Sequence, residues 1–157
     1  KKDGTVTTGN ASQISDGATA LVVASAEAAS SMGATPLARI LGSHTQGVEP
    51  KNLFEAPGIG IEALLEKHGL SKDDIDLYEI NEAFAAQAIA NIRHLGLDED
   101  KVNICGGGIA LGHPIGGSGA RVLTTLLHQM QRVDAKRGIA SLCLGGGNAV
   151  SMLVERD

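Results

Sequence analysis

The chain has 157 residues, 43% hydrophobic and 20% charged, which suits a globular domain with its own core. A net charge of −5 without a basic stripe argues against nucleic-acid binding, and no apolar run approaches the roughly 18 residues needed to span a bilayer. Two Phe, one Tyr and no Trp leave the core to Ala, Val, Ile and Leu, and the 21 glycines exceed the roughly 11 expected from average usage of about 7%.

The chain opens on Lys1-Lys2-Asp3-Gly4, which reads as a turn without an initiator Met, so it is expected to be a piece of a longer protein. Residues 1–17 are rich in Gly, Thr, Ser, Asn and Asp and read as a loop. Ala18 to Ala24 is a short apolar run with β-branched residues, expected as a buried strand. Ser25 can cap a short Ala-rich helix that stops at Gly33, and Pro36 then breaks the chain. Leu37 to Val48 reads as a strand interrupted at Gly42, and a loop with Pro50 and Pro57 follows. Ile59 to His68 is expected as a helix closed by Gly69, and Ser71 to Asp74 as a capped turn. Ile75 to Ile80 alternates apolar and polar, as a strand does; Glu82 to Leu95 has helical periodicity, with Asn81 before it and Gly96 after.

Lys101 to Ile104 reads as a brief strand, and the stretch from Cys105 to Gly119 is dense in glycine around Pro114. Ala120 to Val133 is again helical. Gly138 to Leu144 and Asn148 to Val154 read as strands of a hairpin through Gly145-Gly146-Gly147. This alternation predicts an α/β layered domain, a mixed five-stranded sheet with helices on both faces.

Three segments carry the chemical interest. In Asn81-Glu82-Ala83-Phe84, Asn81 suits a helix N-cap; alternatively its amide turns outward to fix a water or polarise a carbonyl. Glu82 suits the first turn through the helix dipole alone. In Gly106 to Arg121, His113 is followed by Pro114, flanked by glycines and set before a helix start. Ordering that many glycines is entropically costly, and the helix start offers free N–H groups, so the context points to a functional His113. In Cys143-Leu144-Gly145-Gly146-Gly147, two readings stay open. Cys143 is a small buried hydrophobe at a strand end, or a reachable thiol beside glycine amides that could form an oxyanion hole. His68 and His94 suit helix C-termini, His128 suits an exposed helix face, and Cys105 suits packing. No residues have metal-ligand spacing, and two cysteines make no disulfide framework, so reduced thiols in the cytoplasm are expected.

Four ordered segments resemble the thiolase family of acetyl-CoA acetyltransferases and 3-ketoacyl-CoA thiolases. They are GTVTTGNASQISDGA (Gly4 to Ala18), NEAFAAQ (Asn81 to Gln87), GGGIALGHPIGGSGAR (Gly106 to Arg121) and CLGGGNAVSM (Cys143 to Met152). The resemblance implies that residues 1–17 end a loop region and 18–157 form the C-terminal domain. It implies a ping-pong acyl transfer in which His113 activates a nucleophilic Cys and helps hold the thioester oxygen. Asn81 would position a water in the same oxyanion hole, Cys143 would carry the α-proton, and the Gly145 N–H would belong to a second oxyanion hole. A thiol of lowered pKa would suit that carrier. Ser12 and Phe84, and less directly Leu53, match positions lining the pantetheine tunnel.

The implied ligands are acyl-CoA and CoA as substrates, with no further cofactor and no metal. The implied partners are a missing N-terminal thiolase domain and further copies in a homodimer or tetramer. Gly108 stands where Ala is commoner in the family, a change expected to be small. Neither Cys105 nor Cys143 lies in the nucleophile's motif, so the chain by itself is expected to be inactive. Two other readings compete. A ketoacyl-synthase-like enzyme would carry a second His in place of Cys143 and lack the NEAF segment. A catalytically silent dimerising or acyl-CoA-binding half would bind without turnover.

Overall fold

The computed structural model describes residues 3–157, so Lys1 and Lys2 of the expected opening turn lie outside the described residues. Four strands, β1 (Arg39–Gly47), β2 (Leu77–Ile80), β3 (Arg137–Leu144) and β4 (Asn148–Glu155), form one mixed sheet in the order β1-β4-β3-β2. The helices are α1 (Ala26–Ser31), α2 (Ala56–His68), α3 (Ala85–Leu95), the single turn α4 (Gly108–Leu111) and α5 (Ser118–Val133). β4 runs antiparallel to both β1 and β3, whereas β2 and β3 are parallel. Parallel neighbours need a crossover, and α3 and α5 both lie within the one between β2 and β3. No helix among the described residues is long and apolar enough to cross a membrane.

Strand alternation sorts side chains onto two faces. Tyr78, Ile80, Ile139 and Leu153 pack with Ile61 and Leu64 of α2 and Leu95 of α3. Leu77, Ala140 and Val154 pack with Val122, Leu126 and Met130 of α5. The expected helices on both faces are therefore present. Each fully buried Leu, Ile or Met contributes about 1.5–3 kcal/mol of transfer free energy.

Local signals end the elements as expected. Ser25 accepts the Ala28 N–H and caps α1, while Gly69 and Gly96 take left-handed conformations after α2 and α3. Ser71 and Asp74 form a reciprocal capping box. The β1 ladder shifts register between Ile40 and Gly42, the expected interruption. In the β3–β4 hairpin Gly147 has φ 89°, and a Cβ there would run into the Val48 carbonyl oxygen and Pro50.

Four expectations are corrected. The sheet has four strands, not five. Lys101 to Ile104 makes only a single bridge, from Val102 to Tyr78. Asn103 breaks the run with φ 49°, and its side chain takes over the ladder. Its Oδ1 accepts the Ile80 N–H at 2.9 Å, and its Nδ2 donates to the Ile80 carbonyl at 2.8 Å. Ala18 to Ala24 is not a buried strand either; it has no regular structure, with Val22 at 93% and Val23 at 74% exposure. Its apolar pattern suits burial, but it pairs with no strand among the described residues. Finally, α3 starts at Ala85 rather than Glu82, and Phe84, extended at φ −144°, occupies the N-cap.

Candidate active site

β2 and β3 end side by side, and in an open α/β sheet the carboxyl ends of parallel strands are where ligands bind. Asn81 continues from β2, and its N–H donates to the Ser141 carbonyl at 2.8 Å. Cys143 lies two residues further along β3, at the strand's last turn before Gly145. The fold thus brings Asn81 and Cys143 to one sheet edge.

The glycine-dense segment is strapped onto that edge from two sides. The Glu82 carboxylate accepts the Ile109 N–H at 3.2 Å, and a Cβ at Gly108 would sit 2.6 Å from the Glu82 carbonyl oxygen. The absent side chain at 108 is therefore a fitting requirement here, not the small change expected. On the other side, Ile14 and His113 form a bridge, and the His113 N–H donates to the Gln13 carbonyl at 3.3 Å.

The hydrogen bonds of His113 define its tautomer. The single Ser118 hydroxyl proton goes to the Pro114 carbonyl at 2.9 Å. Ser118 Oγ, which also contacts His113 Nδ1, must then accept from it, so Nδ1 carries the ring proton. Nε2 is left with its lone pair, and the Asn81 amide NH2 donates to it at 3.4 Å. Burial, then the positive charge of Arg121, holds the His113 pKa below the ordinary value of 6.5. At neutral pH His113 is an uncharged base with Nε2 as its accepting atom.

Asn81 is 1% exposed and does not cap a helix. Its Oδ1 accepts from Arg121 Nη2 at 3.2 Å, so the amide spans Arg121 and His113. Beneath them, Glu79 is 3% exposed on β2. Burial pushes its carboxyl up to about 7, against the opposing pull of Arg121.

Cys143 is half-buried and has a free thiol. Burial pushes its pKa up, opposite to the lowered value expected of a proton carrier, so the thiol form dominates at neutral pH. Gly145 is exposed beside it, and a Cβ there would meet open space. The three expected tunnel residues fall in two places. The Ser12 N–H donates to the Ala83 carbonyl at 2.9 Å, next to Phe84. Leu53 lies in the 3-10 turn Pro50–Glu55, whose Phe54 packs edge-on against Phe84 with ring centroids 5.2 Å apart. No group of three His, Cys, Asp or Glu among the described residues is placed to hold a metal ion.

Residues 34–156 match the family described as thiolase, C-terminal domain, and residues 1–27 match thiolase, N-terminal domain. The chain belongs to the thiolase family. Acetyl-CoA acetyltransferase of Chromobacterium violaceum is 54% identical over 156 residues, covering 99% of this chain and 40% of that protein. The Escherichia coli acetyl-CoA acetyltransferase is also 54% identical, over 155 residues, covering 99% of this chain and 39% of the relative. Among solved structures, the Bacillus anthracis acetyl-CoA acetyltransferase superposes with a TM-score of 0.96 at 50% identity, covering 99% of this chain and 39% of that one. Human mitochondrial 3-ketoacyl-CoA thiolase in complex with CoA superposes at 0.93 with 43% identity, covering 100% of this chain and 40% of that one. The chain thus spans about 40% of the length of the curated thiolases it matches.

Three residues of this thiolase site carried no role in the sequence reading: Ser118, Glu79 and Arg121. Arg121 did leave a signal. It sits in the first turn of α5, where the helix dipole disfavours a cation.

Proposed function

We propose that this chain supplies the acid/base half of an acyl-CoA C-acyltransferase site, which joins two acyl-CoA units or cleaves a 3-ketoacyl-CoA with CoA. The observation that carries this reading is the hydrogen-bond chain through His113, Ser118 on Nδ1 and the Asn81 amide on Nε2, which leaves Nε2 as the atom that accepts a proton. His113 takes the proton of a cysteine nucleophile outside these 157 residues, and that thiolate attacks the thioester or ketone carbonyl. Protonated Nε2 then donates to the oxygen on which negative charge develops, beside the Asn81 amide. In the cleavage direction the Cα–Cβ bond breaks, the enolate of acetyl-CoA departs, and the Cys143 S–H gives its proton to the α-carbon. Cys143, held as the thiol by burial, is in the form this donation needs. In the condensing direction Cys143 first releases its thiol proton to solvent, the thiolate then removes the same α-proton, and an N–H from Gly145 faces the enolate oxygen.

Ser12, Phe84 and Leu53 contact the pantetheine arm in this reading; that a related human thiolase forms a complex with CoA supports CoA as the ligand. The whole protein pairs this half with an N-terminal thiolase domain, assembles as a homodimer or tetramer and works in the cytoplasm. The test is acetoacetyl-CoA thiolysis by the full-length protein. His113→Ala and Cys143→Ser should each depress turnover by at least about a hundredfold. Rates near those of the unaltered protein would overturn the assignment.

A further inference from the structure

We propose that Arg121 is a positioning residue of this site, holding the Asn81 amide in the one orientation that turns its NH2 toward His113. The proposal rests on the acid/base reading given above. An Asn amide is nearly symmetrical in shape, so a half-turn exchanges its oxygen and nitrogen with little steric consequence. At this site the two orientations differ in hydrogen bonding. As observed, Oδ1 faces a donor, Arg121 Nη2, and Nδ2 faces an acceptor, His113 Nε2. After a half-turn, NH2 would face a guanidinium that has no acceptor, and Oδ1 would face the imidazole lone pair. Both contacts would then be repulsive. Ser118 holds the imidazole from its other side, so Arg121 and the Nε2 lone pair of His113 together determine which way Asn81 turns, and of the two only Arg121 can never act as an acceptor.

Stability alone does not account for Arg121. It sits at the positive end of the α5 dipole, and its Nε and Nη1 are buried without a hydrogen-bond partner. Glu79 is the acidic group on the same side of the sheet. It is two residues before Asn81 on the extended chain, so both side chains lie on the α5 face. Each charge opposes the pKa shift that burial imposes on the other.

The experiment is a double-mutant cycle in the full-length protein, read as kcat and KM for acetoacetyl-CoA thiolysis, with folding followed by thermal unfolding. Arg121→Met keeps the bulk and removes the donor. It should lower kcat by about tenfold with KM within about twofold, because the amide's orientation matters to the developing oxyanion more than to binding. In the Asn81→Ala background the same change should lower kcat by less than about twofold, since there is no amide left to orient. An equal fractional loss in both backgrounds, or an undiminished kcat for R121M, would overturn the proposal. Should R121M fail to fold, Arg121→Lys is read in the same cycle with the same criterion of non-additivity. N81A with an undiminished kcat would instead remove the underlying reading of the site, and the proposal with it.

Discussion

Glu79→Gln should stabilise the protein at pH 8 and change it little at pH 5. Glu79 is 3% exposed on β2, and burial raises its carboxyl from an ordinary 4.5 to about 7. The folded state therefore keeps a proton that the unfolded chain releases between those values. Where both states are protonated, below about pH 4, the group contributes nothing. Between 4.5 and 7 the folded state binds more protons than the unfolded state, so stability falls as pH rises, and above about 7 the loss levels off. At about 1.4 kcal/mol per tenfold change in acidity, the full loss is about 3 kcal/mol. Gln keeps the shape of the protonated acid and cannot ionise. Urea unfolding should then show E79Q ahead by under about 1 kcal/mol at pH 5, growing to about 3 kcal/mol at pH 8. Equal stabilities at pH 8, or a gap that shrinks as pH rises, would refute the reasoning.

Two more outcomes follow from the geometry. Gly147→Ala forces a side chain into a left-handed conformation and against the Val48 carbonyl and Pro50. It should cost about 1–3 kcal/mol in denaturant unfolding, and a neutral result would contradict the packing of this turn. The pH profile of kcat/KM for the full-length protein should lose activity on its acid side with a midpoint below 6.5, because His113 must be neutral and its pKa is held below that value. A midpoint above 6.5 would contradict the neutral-base assignment.

What the sequence made legible was local. The Ser25 cap, the Gly69 and Gly96 helix stops, the Ser71–Asp74 box and the glycine hairpin each depend on residues a few positions apart, and each is present. His113 was legible for the same reason: the glycines, Pro114 and Ser118 that shape its loop all lie close in the chain. What was not legible depended on partners far away. Asn81 looks like a cap until Arg121, forty residues on, is seen to bind its side chain. The Ala18–Ala24 run looks like a strand, because composition reports a wish for burial but not whether a neighbouring strand exists to grant it. Lys101–Ile104 has a strand's residues, yet Asn103 replaces ladder hydrogen bonds with side-chain ones. Cys143 could not be assigned from its position, and the direction of its pKa shift follows from burial, which residue spacing does not report.

The central claim is that His113 and Cys143 act on different protons of one reaction. Measuring the two half-reactions separately in the full-length protein tests it most directly: acylation of the nucleophile by acetyl-CoA, and exchange of the acetyl-CoA α-protons with deuterated water. Cys143→Ser should leave acylation within about threefold of native and slow α-proton exchange by at least about a hundredfold, while His113→Ala should slow acylation by at least about a hundredfold. Equal losses in both half-reactions for Cys143→Ser, or native exchange, would contradict the account.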